Sequence, residues 1–338
     1  MKTALMLATC TSLILTGCDA PGEEVSVYSA REEQLIKPLL DNFSEQTGIQ
    51  VNLVTGDADE LLQRLASEGR NTPADVLITT DAGRLHRART KDLLQPVQSR
   101  ILDNAIPANY RDPDDYWFGL SMRARPIMYA RGRVDRAQLS TYEALADKRW
   151  HKEICIRTSS NIYNQSLVAS MIASLGEKRT GRWARRFVNN FARKPTDGDR
   201  DQIEAVAAGV CDIAIANTYY LGQMLNDANP GQREAAAKVA IFWPNQDGRG
   251  THVNISGAGV TKAAQHQENA VKLLEFLVGD QAQRWYAQAN QEYPVKPGIA
   301  ASETLRSWGD FKADDLNLSR LGELNAKAVK LMDRVGWP

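Results

Sequence analysis

Two adjacent tyrosines, Tyr219 and Tyr220, follow an apolar run from Ile213 to Ala216 and the turn pair Asn217-Thr218. The pattern predicts a strand that ends just before two phenols. Neighbouring side chains diverge on a regular element, so both can meet one ligand only if the backbone turns between them, as it can where a strand gives way to a helix. A phenol titrates near pH 10 in water, but a trivalent cation is a large enough local charge to hold it as phenolate at neutral pH. Anionic oxygen suits a hard ion such as ferric iron. The same pair also fits amphipathic packing, with both hydroxyls bonded to backbone or water. The two residues alone do not choose between these readings.

The start of the chain bears on where such chemistry would occur. Lys2 and the apolar stretch Ala4 to Leu15 have the form of an export signal, too short to span a bilayer. Leu15-Thr16-Gly17-Cys18 is similar to a lipobox. It predicts a signal segment over residues 1–17, cleavage before Cys18 and a lipid on that cysteine, which would tether a periplasmic protein to the outer face of a bacterial inner membrane. A plain signal peptide with a chance cysteine is the alternative.

The chain has 338 residues and a formal net charge of zero. Removing Met1 to Gly17 takes away only Lys2 among the charged residues, leaving 40 Lys and Arg against 41 Asp and Glu. That balance argues against a nucleic-acid partner. The length exceeds what one hydrophobic core usually supports, so two domains are expected. Beyond Cys10 and Cys18 the only cysteines are Cys155 and Cys211. Both sit in short apolar, strand-like runs, and an oxidising compartment predicts a disulfide between them. Two buried thiols are the alternative.

Brief apolar strands alternate with amphipathic helices along the chain, the pattern of α/β layers. Val25 to Tyr28 reads as a strand, and Leu35, Ile36, Leu39, Leu40 and Phe43 then recur at helical spacing. Thr47-Gly48 stops that helix. Ile49 to Val54, Val76 to Ile78, Val239 to Trp243 and Ile255 to Val260 read as further strands, and one long helix is expected near Leu321 to Val335.

Several segments together resemble a known family. Val-Tyr-Ser-Ala-Arg at 27–31, Thr-Gly-Ile at 47–49, Thr-Pro-Ala-Asp-Val at 72–76, Ser-Ser-Asn-Ile-Tyr-Asn-Gln-Ser-Leu at 159–167, Asn-Thr-Tyr-Tyr at 217–220 and Ser-Gly-Ala-Gly-Val at 256–260 are similar to the periplasmic ferric-iron-binding proteins of ABC importers. The resemblance implies a bilobal class II periplasmic-binding-protein fold, two α/β domains joined by crossover strands with the ligand cleft between them. The crossovers would lie near Ser121 to Ile127 and Gly250 to Ser256. The first lobe would comprise residues 18–122 plus 254–300, and the second 123–253 plus 301–338.

By matching motifs, the resemblance implies that the second lobe supplies Tyr163, Tyr219 and Tyr220 as iron ligands. Three phenolates neutralise a trivalent ion. The first lobe departs from one branch of the family, which carries a histidine or a histidine-tyrosine pair where this chain has Glu32 and Glu33. Tyr28 lies within a strand and reads as a core residue. The chain resembles instead the branch in which a synergistic anion, carbonate or similar, completes the shell and is held by arginine. Arg31, near the start of a helix, is the leading anion holder and Arg123 the second, because a planar guanidinium can bind a planar oxyanion through two parallel hydrogen bonds. Glu32 is a further candidate first-lobe ligand, although a fourth anionic oxygen beside carbonate would overcharge the site.

Enzymatic readings find little support. His86, His151, His252 and His266 are scattered, and neither a Gly-x-Ser-x-Gly elbow nor a phosphate loop occurs. The expected function is capture of ferric iron by a monomer that delivers it to an ABC permease. Binding of an organic solute such as a polyamine, thiamine or a phosphonate is the competing reading.

Overall fold

The computed structural model describes residues 23–338, so the expected signal segment and Cys18 lie outside the described residues. In chain order the first elements are β1 (Glu24–Ser29), α1 (Glu33–Thr47), β2 (Gln50–Thr55), α2 (Ala58–Glu68), β3 (Val76–Thr80), α3 (Ala82–Thr90), α4 (Arg100–Ala105) and β4 (Phe118–Ala124). Then come β5 (Ile127–Ala130), β6 (Ile154–Cys155), α5 (Ile162–Leu175), α6 (Glu177–Val188), α7 (Asp199–Ala207), β7 (Ile213–Ile215), α8 (Thr218–Leu225), α9 (Pro230–Ala237) and β8 (Val239–Phe242). The chain closes with β9 (Val253–Val260), α10 (Gln267–Leu277), α11 (Asp280–Gln288), β10 (Tyr293–Pro294), α12 (Glu303–Arg306), α13 (Ser319–Glu323) and α14 (Asn325–Arg334).

The strands form two sheets, the bilobal arrangement expected. One is ordered β10-β4-β9-β3-β1-β2 and the other β6-β7-β5-β8. In the first, β1 runs parallel to β2 and β3, while β9 is antiparallel to β3 and β4. The local sequence accounts for these elements. Ile36, Leu39, Leu40 and Phe43 make one buried stripe of α1 at helical period, and Gly48 ends the helix with φ 75°. Tyr28 is buried in β1 and its hydroxyl donates to Glu68.

The chain passes between the sheets twice within short distances, from β4 across Arg125-Pro126 into β5, and from β8 into β9. The C-terminal segment contacts both sides. It forms two helices where one was expected, broken at Leu324, because α13 lies against α3 and α5 whereas α14 turns to pack on α5 and α6. Gly322 permits the first contact: a Cβ there would fall 2.3 Å from the Cβ of His86, which only glycine avoids.

Cys155 and Cys211 are disulfide-bonded, with an S–S distance of 2.02 Å. Cys155 ends β6 and Cys211 lies two residues before β7. Parallel pairing of those strands brings the two Cα atoms to 5.9 Å.

Candidate metal centre

Tyr163, Tyr219 and Tyr220 line one cleft, of about 330 Å³, together with Arg31, Glu32, Arg84, Arg157 and Glu292. The cleft therefore takes residues from the ends of elements belonging to both sheets. All three tyrosines occupy the first turns of helices. Asn161 caps α5 through its side chain, which accepts from the Tyr163 N–H at 3.1 Å. In α8 the backbone turns at Ala216-Asn217, ahead of the tyrosine pair and not within it. Tyr219 and Tyr220 thus share one helical turn, with ring centroids 4.2 Å apart. The Tyr219 hydroxyl lies 3.4 Å from that of Tyr163. The N-terminal ends of two helices, whose dipoles favour negative charge, stand at this region.

A second ring of groups fixes those helix starts. Asp199 is fully buried, accepts the Asn217 N–H at 2.7 Å, and pairs with Arg125 at 2.8 Å. Arg125 also donates to the side-chain oxygens of Asn164 and Asn217. One carboxylate and one guanidinium thereby tie the first turn of α5 to that of α8.

The surroundings of the phenols carry much positive charge. The guanidinium carbons of Arg123, Arg125 and Arg157 stand 5.4, 5.9 and 5.6 Å from the Tyr163 ring centroid. Arg123 is 1% exposed, donates to Ser256 Oγ at 2.9 Å, and has no carboxylate within 4 Å among the described residues. Burial drives the Tyr219 phenol well above its ordinary value, its neighbours Tyr163 and Tyr220 add to the rise, and Arg123 opposes it. Burial likewise raises Tyr220, reinforced by Tyr163 and Asp199. Without a cation these two phenols stay protonated at neutral pH; a trivalent ion between them would reverse that preference.

Arg31 lines the cleft, but its guanidinium is already engaged. It pairs with buried Glu292 and donates to Ser121 Oγ at 3.3 Å, and Ser121 donates to the same carboxylate at 2.7 Å. Arg123 lies behind Tyr163 and not on the cleft wall. Glu32 is exposed just before α1 and accepts from Gln34 at 2.7 Å. Sequence reasoning missed Glu292, Arg157 and the Arg125-Asp199 pair. No local pattern marks Glu292 or the Arg125-Asp199 pair, since their partners lie far away in the chain, and Arg157 enters the cleft only because the loop before α5 turns it toward Tyr163.

Comparisons with known proteins agree with this architecture. A family model for bacterial extracellular solute-binding proteins matches residues 71–312. The chain is 50% identical over 321 residues to iron uptake protein A1 of Synechocystis sp., covering 94% of this chain and 89% of that one. Among solved structures, a Trichodesmium protein in complex with iron and citrate ligands is 50% identical, with a TM-score of 0.91 over 93% of this chain and 100% of the other. The ferric binding protein from Campylobacter jejuni is 39% identical, with a TM-score of 0.89 over 93% and 100%. With half its residues identical to an iron uptake protein over nearly its whole length, and with the same two-sheet fold, this chain belongs to the bacterial extracellular solute-binding proteins, in the family of periplasmic ferric-iron-binding proteins.

Proposed function

We propose that the protein captures one ferric ion in this cleft through the phenolates of Tyr163, Tyr219 and Tyr220, with a synergistic anion completing the shell, and hands the ion to an ABC permease of the inner membrane. As a solute-binding protein it carries its ligand unchanged and is not an enzyme. The supporting observation is the convergence of three phenols from two helix starts, two hydroxyls being 3.4 Å apart. Three phenolates cancel the charge of the ion, and hard anionic oxygen is the matching donor.

The surplus of guanidinium groups supports the anion. Arg123, buried with no carboxylate within 4 Å among the described residues, favours the phenolate form of Tyr219. Arg31, engaged by Glu292 and Ser121, would meet carbonate or a carboxylate such as citrate, the ligand named with iron in the Trichodesmium structure, through the guanidinium hydrogens that those bonds leave over. Arg157 lines the same cleft and can share that anion. Glu32 is the alternative direct ligand from the first lobe. The working lobes on this reading are residues 18–122 plus 254–300 and 123–253 plus 301–338, and lipid on Cys18 would keep the protein beside its permease.

Adding ferric citrate to the apo protein, with and without bicarbonate, tests the proposal. A red phenolate-to-iron band should appear at one ion per chain, and its stability should depend on the anion. A colourless complex, or a chain that binds a polyamine, thiamine or phosphonate in preference, would contradict it.

A further inference from the structure

Away from the cleft, α6 and α14 form a face whose charge contrasts with the rest of the molecule. Lys178, Arg179, Arg182, Arg185 and Arg186 all point to solvent from α6. They occupy spacings that repeat along one helix side, while Trp183, Ala184 and Phe187 fill the buried side. Lys327, Lys330 and Arg334 continue the patch on α14, which packs on α6. The two adjoining grooves here are lined by these eight cations and only three carboxylates, Glu143, Glu177 and Asp333. Within the patch one cation is paired, Arg334 with Glu177. No carboxylate lies within 4 Å of the other seven among the described residues. The whole chain has a formal net charge of zero, so this face concentrates an excess that the remaining surface must balance with acid.

We infer that this face docks on an anionic phospholipid surface. Charge complementarity carries the inference. Seven long, unpaired cationic side chains spread over two helices have no fixed geometry with which to select a particular set of carboxylates. Lipid headgroups can move laterally to meet each one. Each such cation near an anionic leaflet strengthens partitioning roughly fivefold, and the groove between them has an apolar floor of Leu175, Trp183, Leu331 and Val335. The face is separate from the tyrosine cleft, and docking there needs neither iron nor lipid on Cys18.

The experiment uses the full chain carrying Cys18→Ser, which removes acylation, with sedimentation on vesicles of phosphatidylglycerol mixed with phosphatidylethanolamine. Binding should exceed that to neutral phosphatidylcholine vesicles and should vanish at about 1 M salt, where screening shortens to about 3 Å. The triple variant Arg179→Glu, Arg182→Glu, Arg186→Glu should lower partitioning at least about tenfold and leave the iron-dependent colour and thermal unfolding as in the parent. Equal binding to neutral and anionic vesicles, absence of binding at low salt, or an unchanged partition in the triple variant would each overturn the inference.

Discussion

The hydroxyl of Tyr219 lies 3.4 Å from that of Tyr163 across 56 residues of sequence, each on the first turn of its own helix. Two neutral phenols at this distance are at most weakly bonded. On the proposed reading both would share the ferric ion. Because burial and mutual proximity hold the Tyr219 and Tyr220 phenols protonated, iron bound through them as proposed would displace protons. Binding should release up to three protons per ion, so affinity should rise with pH and collapse in acid. Competition with a chelator between about pH 5.5 and 8 measures this, and a pH-independent constant would refute phenolate ligation.

Arg31 and Glu292 form a pair in which each side chain is nearly inaccessible to water. Removing one partner leaves the other charge buried and uncompensated. Arg31→Ala should therefore lower folding stability by about 3–5 kcal/mol, and adding Glu292→Gln should restore much of it. The single variant should retain the phenolate band yet lose iron faster to a chelator. Denaturant unfolding of the single and double variants, read beside chelator kinetics, separates the stability role from the anion role.

His252 is buried among Arg249, Arg125 and Arg123, and burial first, then those cations, holds its imidazole well below the usual histidine value. An unfolded chain takes up a proton at this residue near pH 6.5 while the folded chain does not. Stability contributed by the neutral ring is thus present above pH 6.5 and is lost as pH falls below it. His252→Gln should flatten the acid limb of the stability curve between about pH 6.5 and 5, a change of up to about 1.4 kcal/mol per pH unit at the steepest point. Urea unfolding at a series of pH values measures it.

The Cys155–Cys211 disulfide joins β6 to the approach to β7, beside the helices that carry the tyrosines. Replacing both cysteines by serine should cost about 2–4 kcal/mol. Thermal unfolding with and without reductant should move by the same amount in the parent and not at all in the variant.

The parts that could be read in the sequence are those whose physics is local. The period of α1, the strand before Tyr219 and the apolar runs around Cys155 and Cys211 are each encoded within a few residues. The turn expected between Tyr219 and Tyr220 lies instead ahead of them at Ala216-Asn217, where Arg125 and Asp199 hold Asn217, partners invisible in the local pattern. Glu292 stands 261 residues from Arg31, in a polar stretch that reads as a solvated loop, so nothing nearby signals its burial. The break at Leu324 is of the same kind, since α13 and α14 diverge to reach different helices. The candidate phenols were legible because phenols at element ends have a chemical meaning of their own. The charges that tune them were not, because their meaning depends on tertiary neighbours.

The most direct test is ferric titration of the Tyr219→Phe, Tyr220→Phe double variant, followed by its visible spectrum and by chelator competition. Loss of the red band and a fall in affinity of several orders of magnitude are predicted, with folding and the disulfide intact. A double variant that keeps both colour and affinity would contradict the phenolate centre.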